Sequence, residues 1–365
     1  MKPFRDWFHR YLSDPQAVIL AFLLGLGTVI ILTLGRMLAP VLASLVIAYL
    51  LQGPVARMER LGLPRLAAVS LVFLLFMAVL VFILLGLLPL LSRQVGQFLH
   101  DLPAMIAGGQ QALLRLPERY PDFVTEAQLT QLMATLRAEV MGIGQHLLSL
   151  SLASVLGLLT LLVYLVLMPL LVFFFLKDKE RILAWVTELL PEERGLAAEV
   201  WAEMDRQLGN YIRGKVWEIL IVWTASTATF AWLGLKFSML LGLFVGLSVL
   251  IPYVGATVMT FPVALIAYSQ WGWSADFAWT VAAYLVIQVL DGNLLVPLLL
   301  SEVVNLHPVA IIVAILVFGG LWGLWGVFFA IPLATLVHSV IRAWQKVGAR
   351  KAPAAPAPEA AGADA

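Results

Sequence analysis

The stretch DGNLLVPLLLSEVVNLHP, residues 291–308, sets Asp291, Asn293, Glu302 and His307 inside a chain that avoids charge over long distances. Two carboxylates, an amide and an imidazole are groups that take up protons or ligate small cations. Ionisable side chains within a membrane segment cost about 2.5–3.5 kcal/mol at mid-bilayer on insertion scales, and they persist where they are paired, wetted or functional. Asp291 is the strongest candidate. The preceding WTVAAYLVIQVL is apolar and brings Gln288, three residues earlier, to roughly the same helical face. Asp291 is then expected to be a protonatable coupling residue, with Gln288 and Asn293 as neutral ligands. The structural alternative makes DGN and SEVVNLHP the two ends of a short apolar piece, 294–300, whose polar groups cap helices or sit at interfaces. Asp-Gly is a common turn and His307-Pro308 suits the start of a helix. For Glu302 and His307 that alternative weighs more than a place on a solute pathway.

Other chemistry is absent. GNYIRGKV, residues 209–216, matches the phosphate-binding pattern G-x-x-x-x-G-K but has Val216 where Ser or Thr must reach Mg²⁺. An amphipathic helix rather than a strand precedes it, so no nucleotide partner is expected, and any driving force should come from gradients or be absent. There is no H-E-x-x-H and no G-x-S-x-G. His9, His100, His146, His307 and His338 have no ligand spacing, and zero cysteines exclude thiolate chemistry. No enzyme, cofactor or metal is expected, and no nucleic-acid partner.

The elements that must position these residues follow from the charge-free runs. The chain is 62% hydrophobic and 12% charged, against about 25% charged in soluble domains. No Asp, Glu, Lys or Arg occurs in 16–35, 37–56, 66–92, 140–176, 237–275 or 303–341. A bilayer core needs roughly 20 apolar residues as helix. The expectation is an all-α, polytopic helical membrane protein with about eight membrane segments, some of them broken or re-entrant in the C-terminal half. Amphipathic helices should lie outside the bilayer.

The boundaries read as three N-terminal membrane segments in 1–92 (about 17–35, 37–52 and 66–91) and an extracytoplasmic amphipathic region, 93–146. A fourth segment follows at 147–176, then a cytoplasmic amphipathic region at 177–215 and a membrane core of interrupted helices at 216–345. An Ala/Pro-rich disordered tail closes the chain at 346–365. Lys and Arg near the N-terminus, in the 53–65 loop, in KDKER and after residue 341 place both termini in the cytoplasm. Apolar stripes are legible at Val95, Phe98, Leu102, Met105 and Ile106, at Leu129, Leu132, Leu136, Val140, Ile143 and Leu147, and at Leu196, Val200, Met204, Leu208 and Tyr211/Ile212. Packing on the chain's own bundle is the plainer reading of these stripes, and a contact between subunits the sharper one.

As one helix, 237–275 would run roughly 58 Å. It is interrupted by IPYVG (251–255) and again at Pro262, and the last run by GGLWGLWG (319–326) and AIPLA (330–334). Pro252, Gly255, Gly319 and Gly320 are the candidate helix breaks, with Tyr253 a further candidate for the pathway.

Five segments carry a resemblance. LLQGPVARMERLGLPR, NYIRGKVWEILIVWTASTATFAWLGLKF, LIPYVGATVMTFPVALIA, DGNLLVPLLLSEVVNLHP and GGLWGLWGVFFAIPLA occur in matching order from about residue 15 to 345. Together they resemble the autoinducer-2 exporter family of PerM-like permeases. The chain departs from the family pattern at Lys215, usually Gln, and at Asp291, usually Glu. The first adds a positive charge that Glu218, three residues on, could pair with. The resemblance implies a transporter in the cytoplasmic (inner) membrane, self-associating as a homo-oligomer. It also implies a small polar solute, a signalling molecule or a monovalent cation exchanged for protons as cargo. An oligomeric channel and a membrane scaffold are the competing classes.

Overall fold

The computed structural model describes residues 15–114, 131, 142, 155–189, 195–252, 254–300 and 307–350. Every regular element among them is helical, as a chain of this apolarity requires: in lipid only a helix or a closed barrel satisfies all backbone polar groups. Five stretches are long and apolar enough to cross a membrane, Val18–Gly35, Met37–Arg60, Arg65–Met105, Ala275–Leu300 and Pro308–Phe328, and shorter apolar helices add to them. The protein is a polytopic helical membrane protein.

Several expected boundaries fall inside continuous helices. Helix α1 runs unbroken over Pro15–Arg60, through Gly35-Arg36 and through Pro40 and Pro54. The helix continues through both residues, so the first two apolar runs are not separated by a turn. Helix α2, Arg65–Phe82, passes through a π-helical turn, Ile83–Leu87, into α3, Leu88–Leu114. Then come α4, Val155–Lys177, and α5, Lys179–Glu188. Helix α6, Gly195–Trp232, joins the amphipathic stretch and the fifth apolar run in one piece.

The chain forms two compact units. Unit 1 takes residues up to Leu38, Glu180–Gly209 and the chain from Val303 onward. Unit 2 takes Ala39–Lys179 and Asn210–Glu302.

In unit 2 the run 237–275 breaks at IPYVG, as its proline and glycine suggest. Helix α7, Ser238–Ser248, and α8, Val254–Trp271, form a hairpin. Pro262 lies inside α8 and does not interrupt it. At the open end Gln270 ties the hairpin down: its Oε1 accepts from the Lys236 N–H and its Nε2 donates to the Gly234 carbonyl, both at 2.9 Å. Leu240 N–H donates to Gln94 Oε1 on α3, also at 2.9 Å. Gly242 and Gly246, four apart, let α7 meet α6 backbone to backbone. A Cβ on Gly242 would sit 2.8 Å from Thr227 N, and one on Gly246 2.9 Å from Ile219 O. This is the small-xxx-small mode of helix pairing in membranes.

Val222 and Phe230 of α6, Leu241 and Val245 of α7, and Val263 and Ile266 of α8 form one core, against which Leu91, Val95 and Phe98 of α3 pack. Phe98 meets Phe237 edge-on at 5.6 Å. The stripe at 95–105 thus packs on its own chain. A second core, Val55, Val69, Val72, Val172 and Leu176, joins α1, α2 and α4. After Ser274, whose Oγ accepts from Phe277 N–H, come α9, Ala275–Leu290, a π-helical turn, Asp291–Leu295, and α10, Val296–Leu300.

In unit 1, Val200 and Met204 of α6 pack with Leu20 and Leu24 of α1 and with Leu336 and Val340. The inner amphipathic stripe is therefore packed on its own chain over these residues. Helix α11, Pro308–Phe328, and α12, Ala330–Arg350, pack together. The sequence suggests a break at Gly319 and Gly320, but the helix continues through both and departs from helical geometry at Gly323 (φ 60°, ψ −136°). The chain then folds back so tightly that a Cβ on Gly326 would lie 1.8 Å from Phe318 O. The stripe residues Leu129, Leu132, Leu136, Val140, Ile143 and Leu147 lie outside the described residues.

Candidate functional site

The site begins with one face of α9. Trp279, Leu285, Val286, Val289 and Leu290 are exposed, as lipid-facing apolar residues would be, while Thr280, Tyr284 and Asp291 are buried and Gln288 is half-buried on the opposite face. The spacing 280, 284, 288, 291 is one helical stripe. Tyr284 donates its hydroxyl to Ala256 O at the start of α8, at 2.6 Å. One turn beyond Gln288, Asp291 sits where α9 passes into the π-helical turn, a local widening that recurs at functional sites. It is 7% exposed, and its Oδ1 has no hydrogen-bond partner; neither has Gln288 Nε2.

The opposing charges come from α6. Lys215 and Glu218, 2% and 1% exposed, lie three apart on one face of the helix. The Lys215 ammonium donates to both Glu218 oxygens at 2.9 Å. Glu218 interacts electrostatically with Asp291, and Asp291 with Lys215. Close approach of backbone makes this possible. A Cβ on Gly214 would lie 2.7 Å from Leu299 O of α10, so only glycine lets α6 settle against the helix that follows Asp291. The result is a buried group of two carboxylates and one ammonium, with an unpartnered amide nitrogen on the same face of α9 as Asp291.

The sequence-derived candidates divide accordingly. Gln288 and Asp291 share a face. Asn293 does not: two residues further along a helix points the other way, and Asn293 is exposed, its Nδ2 bonded back to Val289 O at 2.9 Å. It is not placed to act as a ligand beside Asp291. His307 is exposed in unit 1, and its Nδ1 accepts from Val309 N–H as the cap of α11, which is the capping role the sequence suggests for it. Pro252 lies at the tip of the α7–α8 hairpin, and Gly255 packs against the end of α7: a Cβ there would be 1.8 Å from Ser248 O. Gly319 and Gly320 are helical. Tyr253 and Glu302 lie outside the described residues.

Lys215 and Glu218 are the members that sequence reading leaves unplaced, since nothing local links positions more than seventy residues from Asp291. The i, i+4 run of Thr280, Tyr284 and Gln288 was the available signal for the buried face of α9. Unit 2 also holds an open cavity of about 630 Å³ lined by Gln94, Gln97, His100, Asp101, Lys236 and Phe237. Among the described residues no group of three or more His, Cys, Asp and Glu side chains is arranged to hold a metal ion.

Helices apolar enough to cross a membrane, with a buried ionisable cluster that includes Asp291 within one of them, are features of a multi-pass membrane protein of the transporter class. The chain belongs to the AI-2E transporter family: the family's profile, described as AI-2E family transporter, matches residues 17–346. It is 46% identical over 339 residues to the protein described as "Putative permease PerM" in Escherichia coli (strain K12), covering 93% of this chain and 96% of that one. It is 27% identical over 307 residues to "Putative transport protein YueF" of Bacillus subtilis (strain 168), covering 82% and 80%.

Proposed function

We propose that the protein is a gradient-driven transporter that moves a small polar solute or signalling molecule across the cytoplasmic membrane, with Asp291 as the residue that takes up and releases the coupling proton. Both termini are cytoplasmic in this reading, and the working unit is a homo-oligomer. The observation that carries it is Asp291 itself, a buried carboxyl group with an unpartnered oxygen at a π-helical turn within an apolar segment. Membrane carboxylates in such settings mark ion and proton pathways. The interrupted helices α7–α8 and α11–α12 support a transporter over a scaffold, because irregular backbone at membrane depth survives where it lines a cavity or is buried in protein. Exchange of a monovalent cation for protons is the second reading, favoured by the excess of carboxylate over ammonium in the same cluster.

The test is flux in proteoliposomes with and without an imposed pH gradient, across a panel of small polar metabolites and monovalent cations. Asp291→Asn keeps the shape and removes the titration, so it should abolish pH-dependent flux while the protein inserts normally. Asp291→Glu should retain it. Wild-type pH dependence in Asp291→Asn overturns the assignment.

A further inference from the structure

Lys215 places its ammonium on both oxygens of Glu218, while Asp291 Oδ1 is buried and unpartnered. Tyr211, 1% exposed, is a further titratable group, near enough to Glu218 to feel its charge. Two carboxylates and one ammonium sum to one negative charge, and a buried charge of that kind persists only when something neutralises it. With Lys215 in place the pocket needs one further positive charge; without it the pocket would need two. A lysine ammonium is a compact, strongly hydrated point charge. Among side chains it is the nearest counterpart of a monovalent metal ion, and carboxylate oxygens are the ligands such hard ions favour.

We propose that Lys215 is a tethered counter-cation: its ammonium fills, at Glu218 beside Asp291, what is otherwise a binding site for a monovalent metal cation. The pocket is thereby left with a single exchangeable positive charge. This deepens the transport reading, on which its consequence for flux rests, but ion binding can be measured with no transport at all.

The experiment compares thermal midpoints of purified wild type, Lys215→Arg and Lys215→Gln at constant ionic strength, with sodium or potassium chloride replaced stepwise by N-methylglucamine chloride. Lys215→Gln should gain about 5 °C or more from the metal ion, saturably, because a ligand that binds only the folded state stabilises it. Wild type and Lys215→Arg should show no such gain. If Lys215→Gln yields no folded protein, Lys215→Gln/Asp291→Asn, which keeps one carboxylate and no lysine, should show the gain. Lys215→Gln/Glu218→Gln/Asp291→Asn should then lose it. A flat response in both lysine-free variants that keep a carboxylate overturns the proposal. So does a wild-type gain equal to theirs, or failure of both to fold even in sodium and potassium. In vesicles, flux by Lys215→Gln should become dependent on the metal ion. Loss of all flux with the thermal response intact would count against transport and leave the ion site standing.

Discussion

Gly214 is the residue whose change should separate the two halves of the buried cluster. In Gly214→Ala the new Cβ would fall 2.6 Å from Leu300 Cδ2 and 2.7 Å from Leu299 O. The leucine methyl can rotate away, but the carbonyl belongs to the backbone of α10, so helix must move against helix. Reaching a contact of roughly 3.4 Å takes a displacement of about 0.7 Å, since the attractive minimum between heavy atoms lies near 3.5–4.0 Å. Overpacking of this kind costs about 1–3 kcal/mol, against a gain of about 1 kcal/mol from replacing glycine by alanine inside a helix. The net loss of stability is therefore about 0–2 kcal/mol, and the protein should still fold. The shift falls between Lys215 and Glu218 on α6 and the segment that follows Asp291, so proton-coupled flux should drop on the order of tenfold, as misplacements approaching 1 Å do at reactive sites. Thermal unfolding in detergent and pH-driven flux in proteoliposomes measure the two effects separately. Gly27→Ala is the control: it also lies inside a helix, and a Cβ there meets nothing within 4 Å, so flux should be unchanged. Equal flux and equal stability in Gly214→Ala and Gly27→Ala would refute the claim that α6 rests on α10 through glycine.

Two further outcomes are expected. Gly246→Ala drives a Cβ to 2.7 Å from Trp223 Cβ and 2.9 Å from Ile219 O, so it should lower the thermal midpoint by the equivalent of about 1–3 kcal/mol; an unchanged midpoint would mean that α7 and α6 part easily there. Tyr284→Phe removes the hydroxyl bond to Ala256 O, but that carbonyl still accepts from Thr260 Oγ1 at 2.9 Å. The loss should stay near about 0.5–1.5 kcal/mol, and a larger drop in the midpoint would show that the hydroxyl holds more than this one bond.

What could be read from the sequence follows from the range over which each physical constraint acts. Lipid forces helices, so the apolar runs were legible at once, and IPYVG marked a true break. Proline and glycine alone were poorer guides. Pro40, Pro54 and Pro262 stay inside helices, because neighbouring groups in a membrane bundle can absorb the one lost backbone bond. Gly319 and Gly320 remain helical, while Gly323 reverses the chain. A run of glycines permits a turn at several places, and only packing chooses among them. Helical periodicity put Gln288 on the face of Asp291. The same 3.6-residue period, applied to Asn293, would have turned it away. The meeting of Lys215 and Glu218 with Asp291 was beyond reach, because periodicity fixes which face of one helix is buried but not which helix covers it. That second kind of information sits in small residues. Gly242-x-x-x-Gly246 marks where α7 can touch α6, and Gly214 where α6 can touch α10, so the missing side chains, rather than the charged ones, determine where the charges meet.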